Sequence, residues 1–231
     1  MPKFYKDTQN DGQKDAAKDV AFEIENLKKL GVNGIILDLR DNGGGVVETA
    51  VEIAGLFIPN GPIVQIKFNG KKQETLSDND NSVLWAGQLI VMINSNSASA
   101  TEIFAAAILD YNRGLIVGGL QSYGKGTVQS IIDLNQFNFK KDEEDLGSLK
   151  LTTQKYYRIN GGTTQINGVS SDIVMPDKYS YSDYGEKNEH NVLPWDKIKK
   201  VKYNKGWIQL INAKAFWLLN FCKYTSFGEL N

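Results

Sequence analysis

The chain has 231 residues, 41% of them hydrophobic and 23% charged, enough for one full core without a second domain. Its 26 basic and 27 acidic side chains leave a formal net charge of -1, which excludes a general electrostatic attraction to nucleic acid or anionic lipid. A single cysteine, Cys222, and a single histidine, His190, exclude an internal disulfide, a cysteine-built metal cluster and a multi-histidine metal site, so no metal or cofactor is expected.

The start Met1-Pro2-Lys3-Phe4-Tyr5-Lys6-Asp7 lacks the basic residues followed by an apolar stretch that mark a secretory signal. Either the protein is cytoplasmic or the sequence lacks its front. Residues 13 to 30 place Ala16, Ala17, Val20, Ala21, Ile24, Leu27 and Leu30 at helical spacing, with Gly31 as the stop. Gly34 to Leu39 is a short, nearly continuous apolar run, the pattern of a parallel strand covered on both faces. The loop Arg40-Asp41-Asn42-Gly43-Gly44-Gly45 follows, and helical spacing resumes from Val46 to Phe57.

Pro59-Asn60-Gly61-Pro62 breaks the chain, and Ile63 to Phe68 with Asn69-Gly70 predicts a strand entering a tight hairpin. Gln88 to Asn94 reads as a buried strand, Ser99 to Tyr111 as a helix, and Gly114 to Gly118 as a further short strand. The longest unbroken apolar run in this front half, Ile103 to Leu109, falls far short of the roughly 20 residues that cross a bilayer. From Thr127 to Ile166 the pattern is β-rich, with Asn160-Gly161-Gly162 supplying a hairpin turn. Residues 177 to 191, which include His190, read as a polar surface loop. The apolar, aromatic stretch from Trp207 to Tyr224 has no clean helical stripe.

Ser99-Ala100-Thr101-Glu102 fits a capping box, in which serine and glutamate side chains satisfy amides at a helix start. The same position suits a nucleophile, because amides converge there and developing negative charge is favoured. A serine nucleophile needs a base. His190 is one candidate, and a lysine is the other, as in Ser-Lys variants of the catalytic triad. A lysine acting as base must lose its charge, which an apolar setting favours. Lys125 lies between Gly124 and Gly126, with apolar β segments on both sides; its bland reading is an ordinary hairpin lysine reaching water. Gln129 follows four residues later, on the same face of a strand, where its amide could orient the lysine amine.

Gly119 to Lys125 also matches a phosphate-binding loop up to its last residue. Gly126 stands where a Ser or Thr should bind magnesium, and a strand-forming run follows where a helix is required. Three successive glycines, Gly43, Gly44 and Gly45, exceed the needs of a turn and let bare amides face a ligand. Asp110 lies eleven residues beyond Ser99, about three helical turns away, so it is expected to pair with Arg113 or a neighbouring segment.

The segments Asp38-Leu39-Arg40-Asp41-Asn42-Gly43-Gly44-Gly45, Ser97 to Ile103 and Tyr123-Gly124-Lys125-Gly126-Thr127-Val128-Gln129 together resemble the C-terminal processing peptidases, in particular their tail-specific protease branch. The likeness continues through Ala54 to Pro59, Tyr157 to Gly162 and Leu193 to Asp196. The resemblance implies a ClpP/crotonase-like spiral α/β core with an additional β-rich segment. It implies Ser99 as nucleophile, Lys125 as general base, Gln129 as its orienting group, the amides of Gly45 and Ala100 as the oxyanion hole, and Gly44 and Asp110 in support. The partners it implies are proteins or peptides with apolar C-termini, and the compartment is the bacterial periplasm.

The sequence departs from the family pattern in lacking a signal peptide and a PDZ domain. It is therefore expected to be a catalytic domain over residues 1–204, with 205–231 an unassigned tail. Gly118 to Ser122 is one residue longer than usual in that family, so a bulge is expected to aim Lys125. The alternatives are an inactive fragment that binds peptide or an apolar ligand, and, more remotely, nucleotide binding by a degenerate P-loop.

Overall fold

The computed structural model describes residues 1–7, 14–68, 73–137, 145–182 and 184–204. Helix α1, Ala16–Lys29, is capped by the Asp15 carboxylate, which accepts the Ala17 N–H at 2.9 Å. It ends before Gly31, whose φ of 70° an L-residue adopts only with strain. Strand β1 (Gly34–Asp38) follows, then α2 (Val47–Gly55), β2 (Gly61–Phe68) and β3 (Gln73–Asp78). The remainder comprises β4 (Gln88–Ile93), α3 (Ala100–Asp110), β5 (Leu115–Gly118), β6 (Thr127–Asp133), β7 (Ser148–Tyr157) and β8 (Ile173–Val174).

The strands form two sheets. One is parallel, in the order β1-β4-β5-β8, and the other antiparallel, in the order β3-β2-β7-β6. Helix α3 is buried over nearly all its length, Ala100 to Ile108 included, and packs on α2, β2 and β5. The Phe104 ring lies 6.2 Å from that of Phe4 and 6.0 Å, edge on, from that of Phe57. A helix apolar on every side is a core helix, so its first turn is held rigidly by what surrounds it.

The α/β alternation expected from the sequence is present, with four differences of detail. Strand β1 is parallel, but it is the edge of its sheet and Ile36 is 64% exposed, so it is not covered on both faces. Leu30 falls outside α1 and is 79% exposed. At Asn160-Gly161-Gly162 the chain does turn, the Arg158 N–H donating to Gly162 O at 2.8 Å. The returning segment makes only an isolated bridge, Gly162 to Lys197, so no second hairpin strand forms there. No regular strand runs from Gly119 to Gly126, and the one register shift in the β6–β7 pair falls between Val128 and Gln129. The approach to Lys125 is irregular chain, where the sequence led one to expect a strand bulge.

Strands β2 and β3 pair antiparallel as a hairpin requires, while the Asn69-Gly70 turn lies outside the described residues, as do Cys222 and the 207–224 stretch. No helix among the described residues is long and apolar enough to cross a membrane.

Candidate active site

Ser99 is the N-cap of α3, with φ 60° and ψ -119°, a conformation that costs a non-glycine residue energy and marks functional turns. The arrangement is that of a capping box, but its two halves are unequal. Glu102 Oε2 accepts the Ser99 N–H at 2.8 Å. The Glu102 N–H is aimed at the Ser99 carbonyl oxygen, 2.8 Å away, so the hydroxyl is a marginal second acceptor and makes no good cap hydrogen bond of its own. The cap geometry leaves Oγ available for chemistry.

Two residues, Ser97 and Asn42, fix this turn. The Ser97 hydroxyl, fully buried, donates to Leu39 O at 2.8 Å and accepts the Asn94 N–H at 3.0 Å. The carbonyl of Asn42 accepts the Ala98 N–H and the Thr101 hydroxyl at 3.0 and 2.9 Å. The Asn42 side chain in turn takes the Gly44 N–H at 2.9 Å, so one buried asparagine joins the glycine loop to the serine turn.

The loop approaches so closely that only glycine fits. A Cβ on Gly44 would lie 2.6 Å from Ala98 O and 2.9 Å from both the Ala100 N and Ser99 Cβ, and one on Gly45 would lie 2.0 Å from Phe4 O. Among the described residues no acceptor is found for the N–H of Gly45 or of Ala100, the two amides expected to face an oxyanion.

Lys125 lies between Gly118 and β6, and every backbone polar group of residues 124–126 has a partner. The Gly124 and Lys125 N–H groups donate to Glu102 at 2.7 and 2.9 Å, and the Gly126 N–H donates to Gln165 Oε1 at 2.8 Å. The carbonyls of Gly124 and Gly126 accept the N–H of Ile166 and Tyr156 at 2.8 and 3.0 Å. The Lys125 carbonyl accepts the Tyr156 hydroxyl, with Thr164 Oγ1 at 3.4 Å. The lysine backbone is therefore fully hydrogen-bonded, and its Nζ donates to Gln129 Oε1 at 3.2 Å. Among the described residues no hydrogen bond joins Lys125 Nζ to Ser99 Oγ.

Glu102 is completely buried and accepts four hydrogen bonds: the Ser99 and Lys125 N–H on Oε2, the Gly124 N–H and the Ser122 hydroxyl, at 2.6 Å, on Oε1. Burial pushes its carboxyl up to about 7, against the pull of those donors. Because Glu102 occupies the Gly124 and Lys125 amides, they cannot cradle a phosphate, and the strand β6 follows where a P-loop has a helix. The nucleotide-binding reading is overturned on both counts.

A cleft of about 430 Å³ is lined by Gly43, Ala98, Tyr123, Lys125, Gln129 and His190, among others. Both candidate bases therefore reach one cleft, and they differ in that the backbone of Lys125 is tied to the serine turn while His190 lies on an exposed loop. Another hollow, of about 340 Å³ between Pro59, Tyr111 and Tyr203, has none of the candidate site residues on its walls. Asp110 is at the far end of α3, where it accepts Arg158 Nε and Nη2 at 3.1 and 2.6 Å and Asn160 Nδ2 at 2.9 Å. Its ion-pair partner is Arg158; the Arg113 guanidinium donates instead to the carbonyls of Phe57, Trp85 and Gly87. No group of three or more metal-ligating side chains occurs among the described residues.

Sequence reasoning assigned Glu102 only a capping role and singled out neither Asn42 nor Tyr156. For Glu102 the signal was available, since a carboxylate leading straight into the apolar run Ile103 to Leu109 of a core helix is carried inward and needs donors there.

A mixed α/β fold that sets a strained serine at the start of a core helix, beside a glycine loop and an anchored lysine, defines the class of a candidate serine hydrolase. The profile of peptidase family S41 matches residues 1–175, and the chain belongs to that family. It is 44% identical over 203 residues to the tail-specific protease of Haemophilus influenzae, covering 88% of this chain and 28% of that one. Over 175 residues it is 37% identical to a carboxy-terminal-processing protease of Bartonella bacilliformis, covering 73% of this chain and 37% of the relative. Among solved structures, the photosystem II D1 C-terminal processing protease superposes with a TM-score of 0.62 at 29% identity, over 76% of this chain and 41% of that chain. The chain thus spans well under half the length of these relatives.

Proposed function

We propose that residues 1–204 form the catalytic unit of a serine endopeptidase that processes or degrades proteins with exposed apolar C-terminal tails. Lys125, oriented by Gln129, serves as general base and takes the proton of Ser99 Oγ as that oxygen attacks the scissile carbonyl carbon. The oxygen of the tetrahedral intermediate accepts the N–H groups of Gly45 and Ala100, at the positive end of the α3 dipole. The C–N bond breaks, the Lys125 ammonium returns its proton to the leaving amine, and an acyl group remains on Ser99. Water, deprotonated by the same lysine, then releases it.

The observation that carries this reading is the Glu102 carboxylate, whose Oε2 holds the backbone N–H of both Ser99 and Lys125. A buried carboxylate that joins those two residues, 26 positions apart, has a clear purpose if they act together. Preference for apolar tails and a periplasmic place of action are carried over from the family resemblance and from the names of the tail-specific and C-terminal processing relatives.

The test is cleavage of an unstructured protein by the wild-type chain and by Ser99→Ala and Lys125→Ala, with mass spectrometry of Ser99 for the acyl-enzyme. Each variant should lose activity by about 10³-fold or more while keeping its fold. Turnover that survives in either sinks the assignment. One observation favours a second reading, a peptide-binding protein without turnover: Lys125 Nζ is bonded to Gln129, not to Ser99. That reading expects peptide binding by the wild type with no cleavage.

A further inference from the structure

Besides Glu102, whose Oε2 holds the two amides, Tyr156 touches the main chain of both Ser99 and Lys125 with one polar atom, on the carbonyl side. Its hydroxyl lies 3.2 Å from Ser99 O and also against Lys125 O. The ring is 1% exposed and belongs to the last turn of the pleat of β7, the strand that pairs with β6 immediately beyond the lysine. Its own backbone is tied into the same region: its N–H donates to Gly126 O at 3.0 Å, and its carbonyl accepts the Thr163 hydroxyl at 2.9 Å.

We propose that Tyr156 is a positioning residue for the Ser99/Lys125 pair, setting the spacing of the two turns from the carbonyl side as Glu102 does from the amide side. This inference rests on the peptidase reading. Both carbonyls face the buried Tyr156 hydroxyl, and a backbone acceptor turned to the protein interior needs a donor there. The single proton of the tyrosine hydroxyl goes to the nearer acceptor, Lys125 O, and the rigid ring, fixed by strand packing, keeps that same oxygen 3.2 Å from Ser99 O, so the phenol spaces the two chain segments. The Ser99 carbonyl also accepts the N–H of Glu102 and Ile103, at 2.8 and 3.0 Å, whereas the Lys125 carbonyl has, besides Tyr156, only the long contact from Thr164. Loss of the phenol therefore frees the lysine turn more than the serine turn. A lysine turn that can drift presents its amine to Ser99 in fewer molecules at any instant, which lowers the chemical step without touching the surfaces that bind substrate.

The experiment compares the wild-type chain, Tyr156→Phe and Tyr157→Phe in steady-state cleavage of one unstructured protein substrate, with thermal denaturation of each. Tyr157 is the matched control: it is the next residue on the same strand, equally buried, and its hydroxyl is bonded to Asp196 at 3.0 Å, away from the pair. Tyr156→Phe should lower kcat about tenfold or more with KM within about twofold, at a temperature where it is fully folded. Tyr157→Phe should keep its kcat. If both variants lose kcat in step with their loss of Tm, or if folded Tyr156→Phe keeps wild-type kcat, the positioning role is overturned. Should Tyr156→Phe fail to fold, Thr164→Ala removes the remaining hydroxyl on the Lys125 carbonyl; a smaller fall in kcat alone supports the role, and an unchanged kcat overturns it. An inactive wild-type chain overturns the peptidase reading itself and this role with it, an outcome distinct from the others.

Discussion

Glu102 Oε2 accepts the backbone N–H of Lys125 at 2.9 Å, while its other oxygen accepts that of Gly124 at 2.7 Å. The lysine turn is thereby hung from the first turn of α3, the helix that Ser99 begins. A carboxylate can do this because both oxygens accept. In Glu102→Gln one of them becomes an amide nitrogen with no lone pair to offer. On one side it would face the Ser99 and Lys125 N–H groups, on the other the Gly124 N–H, and none of these can turn away. Ser122 has little freedom either, because its Oγ already accepts the Val169 N–H at 2.7 Å. Glu102→Gln should lose about 2–4 kcal/mol of stability, read as a fall in the urea midpoint, and peptidase activity with it. A midpoint equal to wild type would show that the carboxylate is dispensable.

The same burial makes stability depend on pH. Glu102 is raised to about 7 in the folded chain, above its ordinary value, so the folded state binds more protons than the unfolded one between about 4.5 and 7. Stability should therefore fall as pH rises through that window, by up to roughly 3 kcal/mol, and change no further from this group above it. A protonated carboxyl keeps an acceptor lone pair on each oxygen, so acid does not reproduce the damage of the Gln variant. Urea titrations from pH 4.5 to 8 of wild type and Glu102→Gln check this: the slope belongs to the wild type, and an equal slope in the variant assigns it to another group.

Much of this arrangement is legible in the sequence because it is local. The spacing of Val20, Ile24 and Leu27 specifies α1, and the serine, the glycine loop and the lysine each announce themselves within a few residues. What was not legible depends on partners distant in the chain. The apolar run of β1 is the same whether the strand is central or at the edge, so the exposure of Ile36 could not be read from it. Tyr156 stands in an alternating run that says only strand, and its partner Ser99 is 57 residues away. Asn42 reads as a turn residue, and its burial follows only once α3 is laid over the loop. For Asp110 the sequence offered Arg113 or an unspecified neighbouring segment, and Arg158 emerges as the partner only once β7 is placed beside the end of α3.

The glycine loop makes a sharper prediction than its composition suggests. Gly44 has φ 101°, outside what an alanine adopts without strain, and the added methyl would meet the backbone of the nucleophile turn itself. Gly44→Ala should lose about 2–4 kcal/mol of stability, and the molecules that remain folded should be nearly inactive, because the Ala100 amide and Ser99 must shift to make room. Gly43→Ala is the comparison, since a Cβ there meets nothing within 4 Å; it should be much milder in both respects. Activity per folded molecule separates the two effects, and full specific activity in folded Gly44→Ala would mean that the loop and the serine turn are not coupled.

Asp110 invites a catalytic reading because it lies on the helix that Ser99 begins, but its contacts point to a structural one. Its carboxylate is 7% exposed and lies near the C-terminal end of α3, where the helix dipole disfavours negative charge. The two-pronged contact with Arg158, together with Asn160, offsets that cost and pins the end of β7 to the end of α3. Asp110→Asn leaves the largely buried Arg158 without its counter-charge, a loss of about 3 kcal/mol, or a fall in Tm of roughly 6–12 °C for a chain of this size. Because the pair is about three helical turns from Ser99, kcat measured well below the new Tm should stay within about twofold of wild type. A hundredfold loss of kcat in fully folded Asp110→Asn, with Tm unchanged, would reverse the assignment and place this carboxylate in the chemistry.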